Sequence, residues 1–193
     1  MRQRIGVLSF HGDVAEHKVS LLEAGKKEKI DLHIVDVRNR EDLIDLDGLI
    51  IPGGESTTIS KLISSQDMWE DIKKIRKIFG TCAGAILLAK KVNGATSEQR
   101  FLELMDIEVS RNAYGPQIES FEDEIETTIG KVRAVFIRAP LFERWWGNCE
   151  VLGFFDNRPV AIKERCKNQV FLALAFHPEL SGETIFHQYF LRL

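Results

Sequence analysis

The sequence predicts an α/β fold: a flavodoxin-like, three-layer open sheet, mostly parallel, with helices on both faces and an added antiparallel β portion. Three observations predict it. Short apolar runs stopped by Gly, Pro or Asp alternate with helical stretches through the first half, which is how βαβ units read. The second half is almost entirely strand-like and carries turn sequences between its runs. The 193 residues, 44% hydrophobic and 28% charged with 14 Gly and 5 Pro, match one globular domain spanning residues 1–193. A chain of this length buries roughly 70% of the surface its unfolded form exposes, enough for a core without a disulfide or a structural metal.

Residues 4–10 read as the first strand. Asp13 is placed to cap the following helix, with Glu16 three residues on completing a capping-box pair ahead of Val19, Leu21 and Leu22. Residues 32–37 form a second strand and 48–51 a third, stopped by Pro52-Gly53-Gly54. Helices over about 57–63 and 68–74 follow. Residues 77–80 are a fourth strand that turns through Thr81 and Cys82 into a helix over 85–91. Beyond that point, residues 106–110, 118–129, 132–137, 151–155, 160–163 and 170–175 read as strands. Asp156-Asn157-Arg158-Pro159 and Cys166-Lys167-Asn168 supply turn chemistry, so these strands are expected to pair antiparallel. Ser181 is expected to cap a last helix. No repeat, low-complexity tract or linker marks a domain boundary.

Charge narrows the classes of partner. Lys and Arg total 26 against 29 acids, a net charge of -3, so no overall field draws nucleic acid or an anionic membrane. No window approaches 18 apolar residues, and the N-terminus lacks the pattern of a secretion signal, which points to the cytoplasm. Three cysteines at wide spacing, without a CxxC pair, suggest neither a disulfide framework nor a zinc site. Cys149 and Cys166 read as structural.

The chemistry concentrates in three segments. Gly80-Thr81-Cys82-Ala83-Gly84 lies where a strand becomes a helix, the setting of a nucleophile elbow. Small flanking residues allow the tight turn, and the start of a helix favours the thiolate. A buried structural cysteine is the alternative. A cysteine nucleophile needs a base. His17, His33 and His187 fall inside regular elements and read as packing or surface residues, while His11, in the loop after the first strand, is a second candidate. His177 is better placed, at the carboxyl end of a strand, where open α/β sheets hold their ligands. Pro178 stiffens the turn, and Glu179 is placed to fix the imidazole tautomer. A plain strand-end turn is the alternative for His-Pro-Glu, but with the elbow it makes a Cys-His-Glu order. Finally, Pro52-Gly53-Gly54-Glu55-Ser56-Thr57 follows a strand. Its amides, with that of Ala83, are candidates for an oxyanion hole, although Gly-Gly before a helix is also ordinary loop chemistry. No phosphate-loop pattern is present.

With these segments in place, nearly the whole chain resembles the class I glutamine amidotransferases, and most nearly the glutaminase subunits of pyridoxal 5'-phosphate synthases. The general likeness lies in residues 80–84 and in His177-Pro178-Glu179. The narrower likeness lies in residues 51–58, Arg111-Asn112-Ala113-Tyr114-Gly115, Ser120-Phe121-Glu122 and Phe136-Ile137-Arg138-Ala139-Pro140. The resemblance implies Cys82 as nucleophile, His177 as proton carrier and Glu179 as its orienter. It implies Gly54 and Ala83 as oxyanion donors, and Gly54, Glu55, Ser56, Arg111, Ile137 and Arg138 as contacts of L-glutamine. Ammonium-to-carboxylate and arginine-to-carboxylate pairing suit the two ends of a free amino acid; a surface ion pair is the alternative for either arginine.

The reaction so implied is hydrolysis of glutamine to glutamate and ammonia through a γ-glutamyl thioester, with no metal or organic cofactor. The ammonia would pass to a (β/α)8-barrel synthase subunit in a hetero-oligomer, which makes pyridoxal 5'-phosphate. Rival readings are the glutaminase of another amidotransferase such as imidazole glycerol phosphate synthase, a cysteine-elbow hydrolase or chaperone of the flavodoxin-like superfamily, and a non-catalytic subunit that only binds glutamine. Three positions depart from the family pattern: His11 where glutamine is usual, Glu103 where glycine is frequent, and Pro116 where arginine is usual.

Overall fold

The computed structural model describes residues 2–111 and 120–193. In chain order the elements are β1 (Gln3–Leu8), α1 (Val14–Glu28), β2 (Leu32–Val37), β3 (Gly48–Ile51), α2 (Ser56–Ser65), α3 (Trp69–Ile72), β4 (Lys77–Thr81) and α4 (Ala83–Leu88). They continue with β5 (Ala89–Asn93), β6 (Met105–Ser110), β7 (Ser120–Thr127), β8 (Gly130–Ile137), β9 (Leu141–Trp145), β10 (Cys149–Phe155), β11 (Arg158–Cys166), β12 (Gln169–Leu174) and α5 (Ile185–Arg192).

A nine-stranded sheet in the order β2-β1-β3-β4-β12-β11-β10-β7-β8 dominates the molecule. Its first five strands pair in parallel, and the remaining pairings are antiparallel. Every residue of β3 and β4 is buried, as continuous apolar strands covered on both faces require. Side chains alternate across a strand, and β4 shows what each face meets. Phe79 packs against His17 of α1 and against His187 and Phe190 of α5. Neighbouring Gly80, on the opposite face, lies so close to Gly84 and Ala85 of α4 that a Cβ would not fit. Thus α1 and α5 cover one face and α4 the other, giving the three layers. The antiparallel half carries its own aromatic core, in which Phe136 meets Phe121, Phe155 and Phe176.

Strand positions in the first half follow the sequence closely, with β2 and β3 at the expected residues. The helix expected over 85–91 starts earlier and ends at Leu88, where Ala89 turns extended. The following residues pair with β6, and that tertiary pairing overrides the helix propensity of the Ala-Lys-Lys stretch. With β9 these strands make a separate three-stranded sheet that the sequence does not announce. Ser181 caps no long helix; its hydroxyl closes the short 3-10 turn Pro178–Leu180 by donating to the Pro178 carbonyl at 2.8 Å, and α5 starts at Ile185. The expected turn at Asp156-Asn157 has both residues at positive φ (48° and 59°), the twist that joins antiparallel strands. Lys77 is buried and its ammonium donates to the Gln3 side chain and to the Phe190 and Leu191 carbonyls, fastening the end of α5 to the sheet.

Candidate active site

Cys82 stands between β4 and α4 with φ 48° and ψ -102°, a backbone region natural to glycine and strained for other residues. Several contacts hold that strain. The Cys82 amide donates to the Leu174 carbonyl of β12 at 2.8 Å, and its carbonyl accepts from Ile86 at 3.1 Å. The glycines at either end let strand and helix close up: a Cβ on Gly84 would collide with the Ile51 carbonyl of β3. The turn therefore has the geometry of an elbow, with the thiol donating toward the Ile137 carbonyl of β8 at 3.7 Å. Ala83 is the first residue of α4, where an amide has no partner within the helix.

His177 follows β12, and its amide is fixed by the Val135 carbonyl of β8 at 2.8 Å. Its Nδ1 lies 2.8 Å from Glu179 Oε1, and Glu179 is buried behind it. The same nitrogen lies 3.1 Å from Asp13 Oδ2. Burial opposes charge on this imidazole, yet Asp13, the Cys82 thiol and Glu179 together raise its pKa above the ordinary value. Burial pushes the Glu179 carboxyl up, against the pull of His177. Asp13 was expected as the helix cap of α1, but its side chain makes no capping bond; the carboxylate turns to His177 instead. His17 is no surface residue. It is fully buried, 3.1 Å from the Thr81 hydroxyl and 3.4 Å from Glu179 Oε1, with His187 at 3.0 Å from its other nitrogen. Burial and then the neighbouring His187 and His177 hold its pKa well below the usual range, so it packs as a neutral ring.

A cleft of about 680 Å³ opens in front of these groups. Gly54, Glu55, Ser56, Cys82, Arg111, Ile137, Arg138 and His177 all line it, so the structure brings the anticipated ligand contacts to one place; Ala83 and Glu179 stand behind the wall. Gly54 sits at φ 120°, and a Cβ there would strike the His11 ring. The Glu55 carboxylate caps α2, accepting from the Thr57 and Thr58 amides at 2.9 and 2.6 Å and from the Thr58 hydroxyl at 2.7 Å. Partial burial acts against its charge, but these hydrogen bonds hold its pKa at about 2. Arg111 reaches Glu55 at 3.3 Å, an ion pair across the cleft wall.

Two contributors escaped the sequence reading. Gln99 accepts from Arg111 at 2.8 Å and donates to the Ser56 hydroxyl at 3.1 Å, tying two cleft residues together. Asp13 carried a helix-cap signal that concealed its contact with His177. Among the departures from the family pattern, His11 lines the cleft beside Gly54. Glu103 adopts φ 57°, a left-handed conformation that glycine takes without strain. Asn112, Ala113, Tyr114, Gly115 and Pro116, with the start of the strand expected from Ile118, lie outside the described residues.

Among the described residues, the ligand atoms of Asp13, His177 and Glu179 lie within 4.8 Å of one another, as a divalent cation would require. At 2.8 and 3.1 Å from one ring nitrogen the two carboxylates sit at hydrogen-bond distances, the arrangement of a shared proton. A second cavity of about 540 Å³, between Arg40 and Ile75, holds none of the anticipated residues. No helix among the described residues is long and apolar enough to cross a membrane.

Residues 7–193 match the SNO glutamine amidotransferase family. The pyridoxal 5'-phosphate synthase subunit PdxT of Oenococcus oeni is 40% identical over 100% of this chain and 97% of its own length. That of Thermoplasma acidophilum is 44% identical over 98% of this chain and 92% of its own. A crystal structure described as a glutamine amidotransferase superposes with a TM-score of 0.83 at 42% identity, covering 97% of both chains. Part of a β-galactosidase from Bacillus circulans, at 13% identity and a TM-score of 0.56 over 98% of this chain and 30% of that one, shares the fold alone. An elbow cysteine facing a carboxylate-held histidine, on a fold and sequence matched end to end by amidotransferases, places this chain in the SNO glutamine amidotransferase family.

Proposed function

We propose that this chain is a single glutaminase domain, residues 1–193, that hydrolyses L-glutamine to L-glutamate and ammonia and hands the ammonia to a pyridoxal 5'-phosphate synthase subunit. The observation that carries the reading is the strained Cys82 elbow opening into the same cleft as His177, whose far nitrogen is held by Glu179. Full-length likeness to subunits named for pyridoxal 5'-phosphate synthase supports the pathway.

In this mechanism His177 takes the thiol proton of Cys82, and Cys82 Sγ attacks the side-chain amide carbon of glutamine. The Gly54 and Ala83 amides stabilise the resulting oxyanion. The His177 Nε2, which makes no hydrogen bond of ordinary geometry among the described residues, gives a proton to the departing ammonia. Water, deprotonated by His177, then hydrolyses the thioester, releasing glutamate and restoring the thiol. Glu55 and Arg111 exchange their mutual ion pair for the α-ammonium and α-carboxylate of glutamine, with Ser56, Ile137 and Arg138 completing the contacts. The acceptor of the ammonia is a (β/α)8-barrel synthase subunit in a complex with several copies of each chain. The chain works in the cytoplasm and needs no cofactor of its own.

The test is ammonia release from glutamine by the purified chain, alone and with the synthase subunit, beside Cys82→Ala. Release that rises with the partner and vanishes in Cys82→Ala supports the reading. Release that persists in Cys82→Ala refutes the nucleophile, and a stable complex with no release supports a non-catalytic glutamine-binding subunit.

A further inference from the structure

We propose that Asp13 is a second positioning carboxylate for His177, sharing the Nδ1 proton with Glu179 from the cleft side. This rests on the glutaminase reading above and extends it to a residue that reading does not use. A single ring N–H faces two acceptors, Glu179 Oε1 at 2.8 Å and Asp13 Oδ2 at 3.1 Å. The two carboxylates come from opposite ends of the chain and differ in setting. Glu179 is sealed in the interior, whereas the Asp13 side chain is partly exposed and lines the cleft. Asp13 also gives up what its position offers. It stands at the N-cap of α1, where aspartate ordinarily accepts from the first-turn amides, and it makes no such bond.

Acceptors from two elements fix the direction of the Nδ1–H as well as the tautomer, because one acceptor alone lets the donor swing about it. The added negative charge also favours the imidazolium that must be present when ammonia leaves. Among the described residues, the groups that face His177 are Asp13 at the N-cap of α1, His17 within α1, Cys82 from the elbow and Glu179 from the turn after β12. His11 bears on Asp13 from the loop after β1, and Glu55, Arg111 and Arg138 stand across the cleft. Among the described residues, Glu179 is hydrogen-bonded to the ring nitrogen at 2.8 Å and Asp13 lies 3.1 Å from it.

The test uses the complex of this chain with its synthase partner and the variants Asp13→Asn and Asp13→Ser. Serine restores a cap and asparagine keeps the shape, so both leave α1 intact. The expected result is a kcat lower by about tenfold, a KM within twofold, and an alkaline limb of kcat/KM that begins at lower pH by about one unit. The direction follows from the charge: without Asp13, His177 loses its proton sooner as pH rises. Wild-type kcat and an unmoved alkaline limb in both variants would overturn the proposal. So would lost activity that merely tracks a lower melting temperature while the limb stays in place. A second readout is the His177 Nδ1 proton resonance, expected to shift in Asp13→Asn; an unmoved resonance overturns the contact itself. Should the wild-type complex release no ammonia, the glutaminase reading falls and takes the catalytic role of Asp13 with it, while the resonance still reports the shared proton.

Discussion

Gly53→Ala adds one methyl group against the His177 ring. The new Cβ would collide with His177 Cε1 and stand 3.1 and 3.3 Å from the two ring nitrogens. Carbon atoms at ordinary contact lie about 3.5–4.0 Å apart, so the ring must withdraw by about 1 Å. It has little freedom to do so, because Glu179 and Asp13 hold Nδ1 and the Val135 carbonyl holds the backbone amide. A misplacement of about 1 Å in a reacting group costs about 100-fold in rate, equivalent to about 2.7 kcal/mol of barrier. The expected outcome is a kcat for ammonia release lower by about 100-fold, with a stability loss of about 1–3 kcal/mol for overpacking. Steady-state ammonia assays and urea unfolding measure the two. Gly94→Ala is the control: it has φ 78° but nothing within 4 Å, so it strains the backbone locally and leaves kcat unchanged. A folded Gly53→Ala protein with kcat within threefold of wild type would refute the claim that the ring is pinned against this glycine.

Two further outcomes test other links. Glu103→Gly removes a side chain from a left-handed position and should stabilise the chain by up to about 1 kcal/mol in denaturant titration, without changing turnover. The raised pKa of His177 gives a pH dependence of stability with a definite sign. Its contribution is fully present below the unfolded value of about 6.5 and is lost as pH rises through the higher folded value. Melting temperatures should therefore fall more steeply on the alkaline side in wild type than in His177→Gln, and parallel profiles would remove His177 as the source.

How much of this was legible in the sequence differs by element. Strands β1 to β4 of the parallel half were readable because βαβ units are local, each apolar run, its stop and its helix lying within a few tens of residues; β12, expected among the antiparallel strands, joins β4 in parallel through a long-range pairing that local spacing does not encode. The elbow was readable for the same reason, since Gly80 and Gly84 serve contacts within one turn or with the adjacent strand. The small sheet of β5, β6 and β9 was not, because Ala89–Asn93 carries helix-forming residues whose extended state comes only from pairing with Met105–Ser110.

The sequence by itself determined the α/β class, the family likeness, and which cysteine, histidine and carboxylate to set side by side. Periodicity, turn residues and short motifs are properties of neighbours along the chain. Tertiary structure alone decided that Asp13 leaves its helix cap for His177, that Gln99 joins Arg111 to Ser56, and that His17 is buried against Thr81 and Glu179. Each of these contacts joins residues 12 to 164 positions apart, and its partner is chosen by how strands stack and close the cleft, a choice that residue type and local spacing do not encode.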